Sequence, residues 1–329
     1  MQMGEKIAVA GLLEELEKEK CPFTVDVKGA DATEDENIVK DDRDSIQGVQ
    51  ANNGGTLGKN LTDGSNGTDN TWKGAPHEPS AQDKTPPKDS KRKDGNEYAQ
   101  PWAKVLVAGT KTIDEGTYPY TVAAHHLIPG NASLYNSAND LQQYMIKGKT
   151  IESKDGKKWK IKYHIGYNVN GAHNGVWLPG NYAIRVGASP TGVSWGKMGN
   201  DDWQLNYVAA CAKVAKGQFH DAHTDYSDSV RDLLNKIAEK LNYHQCNCEL
   251  CKSVTEVSPP YLIKQRLYNL SHYFRFNLTM APGKWRRPWF ASDRWRDVVF
   301  ENSAVKPCMK FVEAYSRARR IETENSGVK

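Results

Sequence analysis

Ala124-His125-His126-Leu127-Ile128-Pro129 ends an apolar run that starts near Tyr118, and the adjacent histidines within it decide how the chain is read. In an extended strand, neighbouring side chains point to opposite faces. One ring could therefore hold a metal ion while the other faces a substrate, the division of labour that metal-assisted phosphodiester hydrolysis needs. The dipeptide alone carries little weight, and two further stretches supply the rest.

The first is Asn174-Gly175-Val176-Trp177-Leu178-Pro179. Asn-Gly favours a tight turn, and the apolar residues after it read as a short strand or the start of a helix. Alone it is an ordinary loop. The second is Gln218-Phe219-His220-Asp221-Ala222-His223-Thr224-Asp225-Tyr226-Ser227, just before a helical pattern built on Val230, Leu233, Leu234, Ile237 and Leu241. Histidines three apart fall on one helical face and can clamp one divalent ion. Asp221, Thr224 or Asp225 could equally be N-cap residues, with the histidines solvated.

Taken in order, AHHLIP, NGVWLP and FHDAHTDYS resemble the AHH family of nucleases in the HNH/endonuclease VII superfamily, over about residues 115–245. That family recurs as toxin domains of bacterial polymorphic toxin systems. The residues themselves read as α+β, a few short strands followed by helices behind a disordered leader, and the resemblance implies a ββα-metal, HNH-like core embedded in that mostly helical domain. It implies that His125 is a metal ligand and His126 the general base that activates water. His223 would complete the site from the helical side, with His220 as a second ligand or a phosphate contact. Asn174 would orient the loop or the base, and Tyr226 would pack under the site or hydrogen-bond a phosphate. The long insertion between Pro179 and His220 departs from the compact form of the finger and leaves the choice between His220 and His223 open. An imidazole near its ordinary pKa of about 6.5 can take a proton from water at physiological pH. One divalent ion, Mg, Mn, Ni or Zn, would complete such a site, and its histidine-rich character favours the softer ions.

Two other clusters stand out. His244, Cys246, Cys248 and Cys251 offer four soft ligands within eight residues, enough for a structural zinc, with Cys308 a substitute for one of them. Free thiols in a reducing cytosol are the alternative. Lys284-Trp285-Arg286-Arg287-Pro288-Trp289 and Arg294-Trp295-Arg296 interleave guanidinium and indole groups. Arg286, Arg287, Trp289 and Arg294 could pair with phosphates and stack on bases, or form a surface stapled by cation–π contacts. Lys158 and Lys160, on the alternating strand-like run 157–163, could track a nucleic-acid backbone.

Composition frames these motifs. The chain has 329 residues, 38% of them hydrophobic, with a formal net charge of +4 and six cysteines without the spacing of a secreted disulfide framework. Mean hydropathy is −0.72. The polar excess is concentrated in residues 28–100. Asp31, Glu34, Asp35, Glu36, Asp41, Asp42 and Asp44 make the start of that stretch acidic, while later segments are basic, a combination suited to a polyanionic partner. The organisation expected is a short docking helix within 1–27 (Ile7–Lys20), a disordered linker over 28–100, a nuclease domain over 101–245, and a helical, basic-aromatic extension over 246–329 that contains the zinc candidates. Apolar stripes at Leu205, Val208, Ala209 and Ala212, and at Ile263, Leu267, Leu270 and Phe274, predict two more helices. No run approaches a membrane span, and the N-terminus lacks the apolar core of a signal peptide.

The function expected is a metal-dependent endonuclease, with DNA favoured over RNA as substrate, that serves as an antibacterial effector. It would be made in the bacterial cytoplasm and secreted without a signal peptide, through a type VI spike or adaptor, into target-cell cytoplasm. A cognate immunity protein would protect the producer. The alternatives are an RNase of the same fold and a zinc-stabilised protein that binds nucleic acid without cutting it.

Overall fold

A computed structural model describes residues 52–63, 102–107, 114–136, 138–153, 156–165, 167–182, 202–247, 253–260, 263–280 and 284–301, with single positions 23, 109, 184, 195 and 251. The architecture is α+β. One antiparallel sheet has the order β1 (Trp102–Val107), β2 (Gly116–His126), β5 (Gly175–Gly180). The second runs β3 (Thr150–Glu152), β4 (Lys158–Ile161), β6 (Glu256–Val257), with β4 and β6 parallel. The helices are α1 (Gly54–Asp63), α2 (Asp202–Ala215), α3 (Thr224–Asn247), α4 (Ile263–Thr279) and α5 (Asp293–Glu301). No described helix is long and apolar enough to cross a membrane.

β2 is the central strand because its sequence is apolar on both faces as it approaches the histidines. It pairs with β1 along its first half and with β5 along its second, where His125 faces Val176 and His126 faces Gly175. All six residues of β5 are buried. The Asn-Gly pair does not form the tight turn expected of it. Asn174 ends a short 3-10 turn, and Gly175 starts the strand at φ −124°. Glycine is needed there for space, since a Cβ would lie 2.6 Å from Leu57 Cδ1. The insertion after Pro179 carries α2, and the chain returns beside β5 through a bridge between Gly180 and His220, with the His220 N–H donating to the Pro179 carbonyl at 2.7 Å. The long insertion therefore brings the chain back to the edge of β5 at His220.

The stripes predicted for α3 and α4 are buried as expected. In α2 the buried face is Trp203, Gln204, Tyr207, Val208, Cys211, Ala212 and Ala215, while Leu205 and Ala209 lie at its margin. Tyr207 turns the helix toward the sheet by donating its hydroxyl to the Pro119 carbonyl at 2.8 Å. The alternation of 157–163 is also seen, with Trp159 and Ile161 inward and Lys158 and Lys160 exposed. Its hairpin turns at Gly156, which takes the left-handed φ of +82°.

The linker expected over 28–100 fails at residues 52–63, which form α1 and its cap. Asn53 is the N-cap, its side chain accepting from the Thr56 N–H at 3.0 Å. Leu57 and Leu61, one helical turn apart, are sealed in the core. A stretch-wide average of polarity hides a two-leucine helix that needs only a shallow slot. Farther upstream, Phe23 is buried, its ring 5.9 Å from that of Tyr144. The helix expected at Ile7–Lys20, the acidic run and the rest of the linker lie outside the described residues.

Leu57→Ala is expected to lower unfolding free energy by about 2–4 kcal/mol. Chemical denaturation of the full chain measures this; a loss near zero would mean that α1 is not docked.

Candidate active site

β2 ends by presenting its two histidines to opposite faces. His125 points toward the start of α3, where it meets His220 and His223. Ring centroids are 5.0 Å apart for His125–His220, 4.8 Å for His125–His223 and 5.2 Å for His220–His223. One ligand nitrogen from each lies within 4.8 Å of the others. His220 and His223 do not share a helical face as their spacing suggests. His220 sits in the bridge to β5, and His223 is the N-cap of α3, its carbonyl accepting from the Ser227 N–H at 3.2 Å. Of the candidate side-chain caps, none of Asp221, Thr224 and Asp225 caps α3. The Asp293 carboxylate does so from outside, accepting from the N–H groups of Thr224 at 2.6 Å and Asp225 at 3.2 Å. Both histidines thus reach the cluster beside His125.

The three rings suit a metal ion. Both ring nitrogens of His125 are enclosed without a hydrogen-bond partner among the described residues, a state that costs about 1–3 kcal/mol per orphaned group. A cation would satisfy one of them. Burial is the main cause that lowers all three pKa values: His125 well below the usual imidazole range, His220 to about 3, and His223 also downward. Neutral rings have lone pairs free to coordinate. Three protein ligands leave a coordination position for water or substrate.

His126 lies on the other face, and its Nε2 is 2.9 Å from Asn170 Oδ1. Burial draws its pKa down to about 4, opposed by the Asn170 hydrogen bond. It is therefore a weaker base than the unperturbed value suggests, though its ring is neutral at physiological pH. An anionic phosphate nearby would raise that value.

Of the alternatives expected for Asn174 and Tyr226, the structure shows Asn174 holding the loop and Tyr226 packed under the site. The Asn174 side chain accepts from the Ile128 N–H at 2.8 Å and donates to the carbonyls of Ile128 at 2.9 Å and Val169 at 2.8 Å. Tyr226 packs its ring 5.1 Å from that of His125 and donates its hydroxyl to the Leu127 carbonyl at 2.6 Å. That hydroxyl is buried against the loop backbone. Arg275 of α4 grips the same loop, donating to the carbonyls of Gly175 at 2.5 Å and Ala172 at 2.8 Å. Sequence reasoning missed Asn170 and Arg275. The run of asparagines at 168, 170 and 174 was a signal for the first; nothing local pointed to the second.

The basic-aromatic segment needs the larger correction. Trp285, Trp289 and Trp295 are core residues. Trp289 packs 4.9 Å from Phe274, so its indole cannot stack on a base. Arg294 lies over the Trp195 and Trp295 rings and donates to Gln204 at 3.1 Å, which is the cation–π staple. Arg286 is half-buried, and exposed Arg287 shares a groove with Asp225, Asp228 and Asp232, an acid-lined setting. Lys158 is ion-paired with Glu152 at 3.2 Å, and both it and Lys160 belong to the second sheet. Of the zinc candidates, Cys251 is buried and outside any disulfide, and its carbonyl accepts from Trp159 Nε1 at 2.6 Å. The side chains of His244, Cys246, Cys248 and Cys308 lie outside the described residues.

Two antiparallel strands and a helix that frame three neutral imidazoles beside a fourth define a metal-dependent phosphodiesterase site. Residues 107–257, just under half of the chain, match the AHH family, a nuclease family of the HNH/ENDO VII superfamily with conserved AHH, and this stretch is an AHH-family nuclease domain. Searches of curated proteins and of solved structures returned no match.

Because these histidines have folded-state pKa values below the unfolded value of about 6.5, the unfolded chain binds protons first as pH falls. Stability of the metal-free protein is full above that value and is lost on descent toward pH 4. His126 alone accounts for on the order of 3 kcal/mol. Thermal melts between pH 7 and pH 4 should show a steady fall in Tm; a flat profile would contradict the burial of these rings.

Proposed function

We propose that this nuclease domain cuts DNA as a single-ion endonuclease and that the chain is an antibacterial effector held in check by an immunity protein. The observation that carries the enzymatic part is the convergence of His125, His220 and His223, with His126 on the same strand end. An ion held by the three rings would supply Lewis-acid stabilisation of charge on the scissile phosphate. The donor set, nitrogen only, favours Zn, Ni or Mn over Mg. His126, neutral at physiological pH, accepts a proton from the attacking water. Asn174, Tyr226 and Arg275 keep the strand end and the loop in register, so that the two faces of β2 stay aligned.

The effector role is supported by the resemblance to toxin domains, in which AHH nucleases recur. A nuclease made inside a bacterium threatens its producer, and an acidic partner that covers the substrate face would neutralise it. Contact-dependent delivery through a secretion spike or adaptor into a neighbouring cytoplasm follows from the same reading. The exposed lysines of β4 support contact with a nucleic-acid backbone.

Supercoiled plasmid incubated with the purified chain is expected to be nicked in the presence of Mn, Ni, Zn or Mg ions. Nicking should vanish with EDTA and fall by about 10²–10⁴-fold in His126→Ala. Intact plasmid alongside degraded total RNA would move the substrate to RNA. Neither substrate cut under any ion would sink the endonuclease reading.

A further inference from the structure

α1 lies outside the family-matched stretch, yet it packs on the same face of the sheet as His126. Opposed residues of an antiparallel pair share a face, and His126 is opposite Gly175. Leu57 fills the space left by the missing Gly175 side chain, and Gly58 brings α1 against Trp177, where a Cβ would stand 3.1 Å from the indole. Glycines on both partners fit the pair together, as expected of a permanent interface.

The polar contacts converge on one residue. Asn170 has its backbone N–H on Asn168 Oδ1 at 2.9 Å and its carbonyl on Asn60 Nδ2 at 2.8 Å. Its side-chain Oδ1 accepts from the Asn53 backbone N–H at 2.8 Å and lies 2.9 Å from His126 Nε2. A backbone N–H can only donate, so the atom facing it is the amide oxygen. An amide oxygen cannot donate, so His126 carries its proton on Nε2. Nδ1, without a partner among the described residues, keeps the lone pair. Asn52 extends the anchorage by accepting from the Gly130 N–H at 2.6 Å, just past the histidine motif.

We propose that residues 52–63 are a built-in part of the nuclease site and that Asn53 and Asn170 are positioning residues, fixing the His126 ring so that Nδ1 is the atom that takes the proton. This rests on His126 being the general base. In the step, water gives a proton to Nδ1 while Nε2–H stays on Asn170 Oδ1, the water oxygen bonds to phosphorus, and the bond from phosphorus to the leaving oxygen breaks, that oxygen keeping the electron pair and taking a proton from solvent.

The test has two independent arms on the full chain. In the first, nitrogen NMR of histidine-labelled, metal-free protein at neutral pH should show His126 as the Nε2–H tautomer. Asn170→Leu should lose that bias. In the second, Asn170→Leu should lower kcat about 10–100-fold with KM within about threefold and metal stoichiometry unchanged. Asn170→Asp, which retains an acceptor oxygen, should recover most of that loss. Asn53→Pro removes the N–H as well as the side-chain cap, and should turn over at least about tenfold more slowly than Asn53→Ala, which removes only the cap. An Nδ1–H tautomer in the wild-type protein, or wild-type kcat in a folded Asn170→Leu, overturns the proposal. If His126→Ala still cuts, the general-base reading fails on its own, and the NMR arm still decides the tautomer and its dependence on Asn170.

Discussion

The side chain of Asn174 joins three segments that are distant in sequence. It binds both backbone groups of Ile128, just past the histidine pair, and the carbonyl of Val169 at the head of its own loop. Ser271 of α4 donates to its oxygen at 3.1 Å. The Leu127 N–H completes the connection by donating to the Asn174 carbonyl at 2.8 Å. An amide with two donors and two acceptor lone pairs is used to capacity here, in a fully buried site. The register of β2 on β5 depends on it, and so does the direction in which each histidine points. Replacing this side chain with an apolar one would orphan several buried backbone groups at once, which is why an asparagine stands where the surrounding residues are apolar.

Legibility in the sequence followed the range of the interactions. The strands and the apolar stripes of α3 and α4 could be read because they depend on local periodicity. The three motifs were legible as a set because their chemistry is concentrated in few residues. How His220 and His223 reach His125 was not legible, since their approach is made by a bridge to Gly180 and a cap from Asp293 rather than by helical spacing. α1 was hidden for a related reason. Its two leucines gain their burial from a slot in β5 more than a hundred residues away, and no local average of composition contains that slot.

The tryptophans of the C-terminal segment illustrate the opposite error. Indole and guanidinium groups interleaved in sequence read as a nucleic-acid platform, but the fold separates them by depth. Trp285, Trp289 and Trp295 pack inward while Arg287 remains outside. Trp289 in turn supports Tyr226, at a ring distance of 6.4 Å. Tyr226 supports His125. The segment thus bears on the metal-ligand cluster through packing, and its aromatic content is explained without a bound base.

The cap that Asp293 places on α3 has a consequence for how such domains are inherited. The carboxylate lies beyond the family-matched residues on one side, as α1 does on the other. The portion recognisable as a nuclease and the portion that packs against and caps its site are therefore different lengths of chain. A recombination event that transplanted only the recognisable portion would carry the ligands without the clamp at the start of their helix. In this chain, both flanks of the recognisable portion contribute residues to the site that carry no nuclease signature.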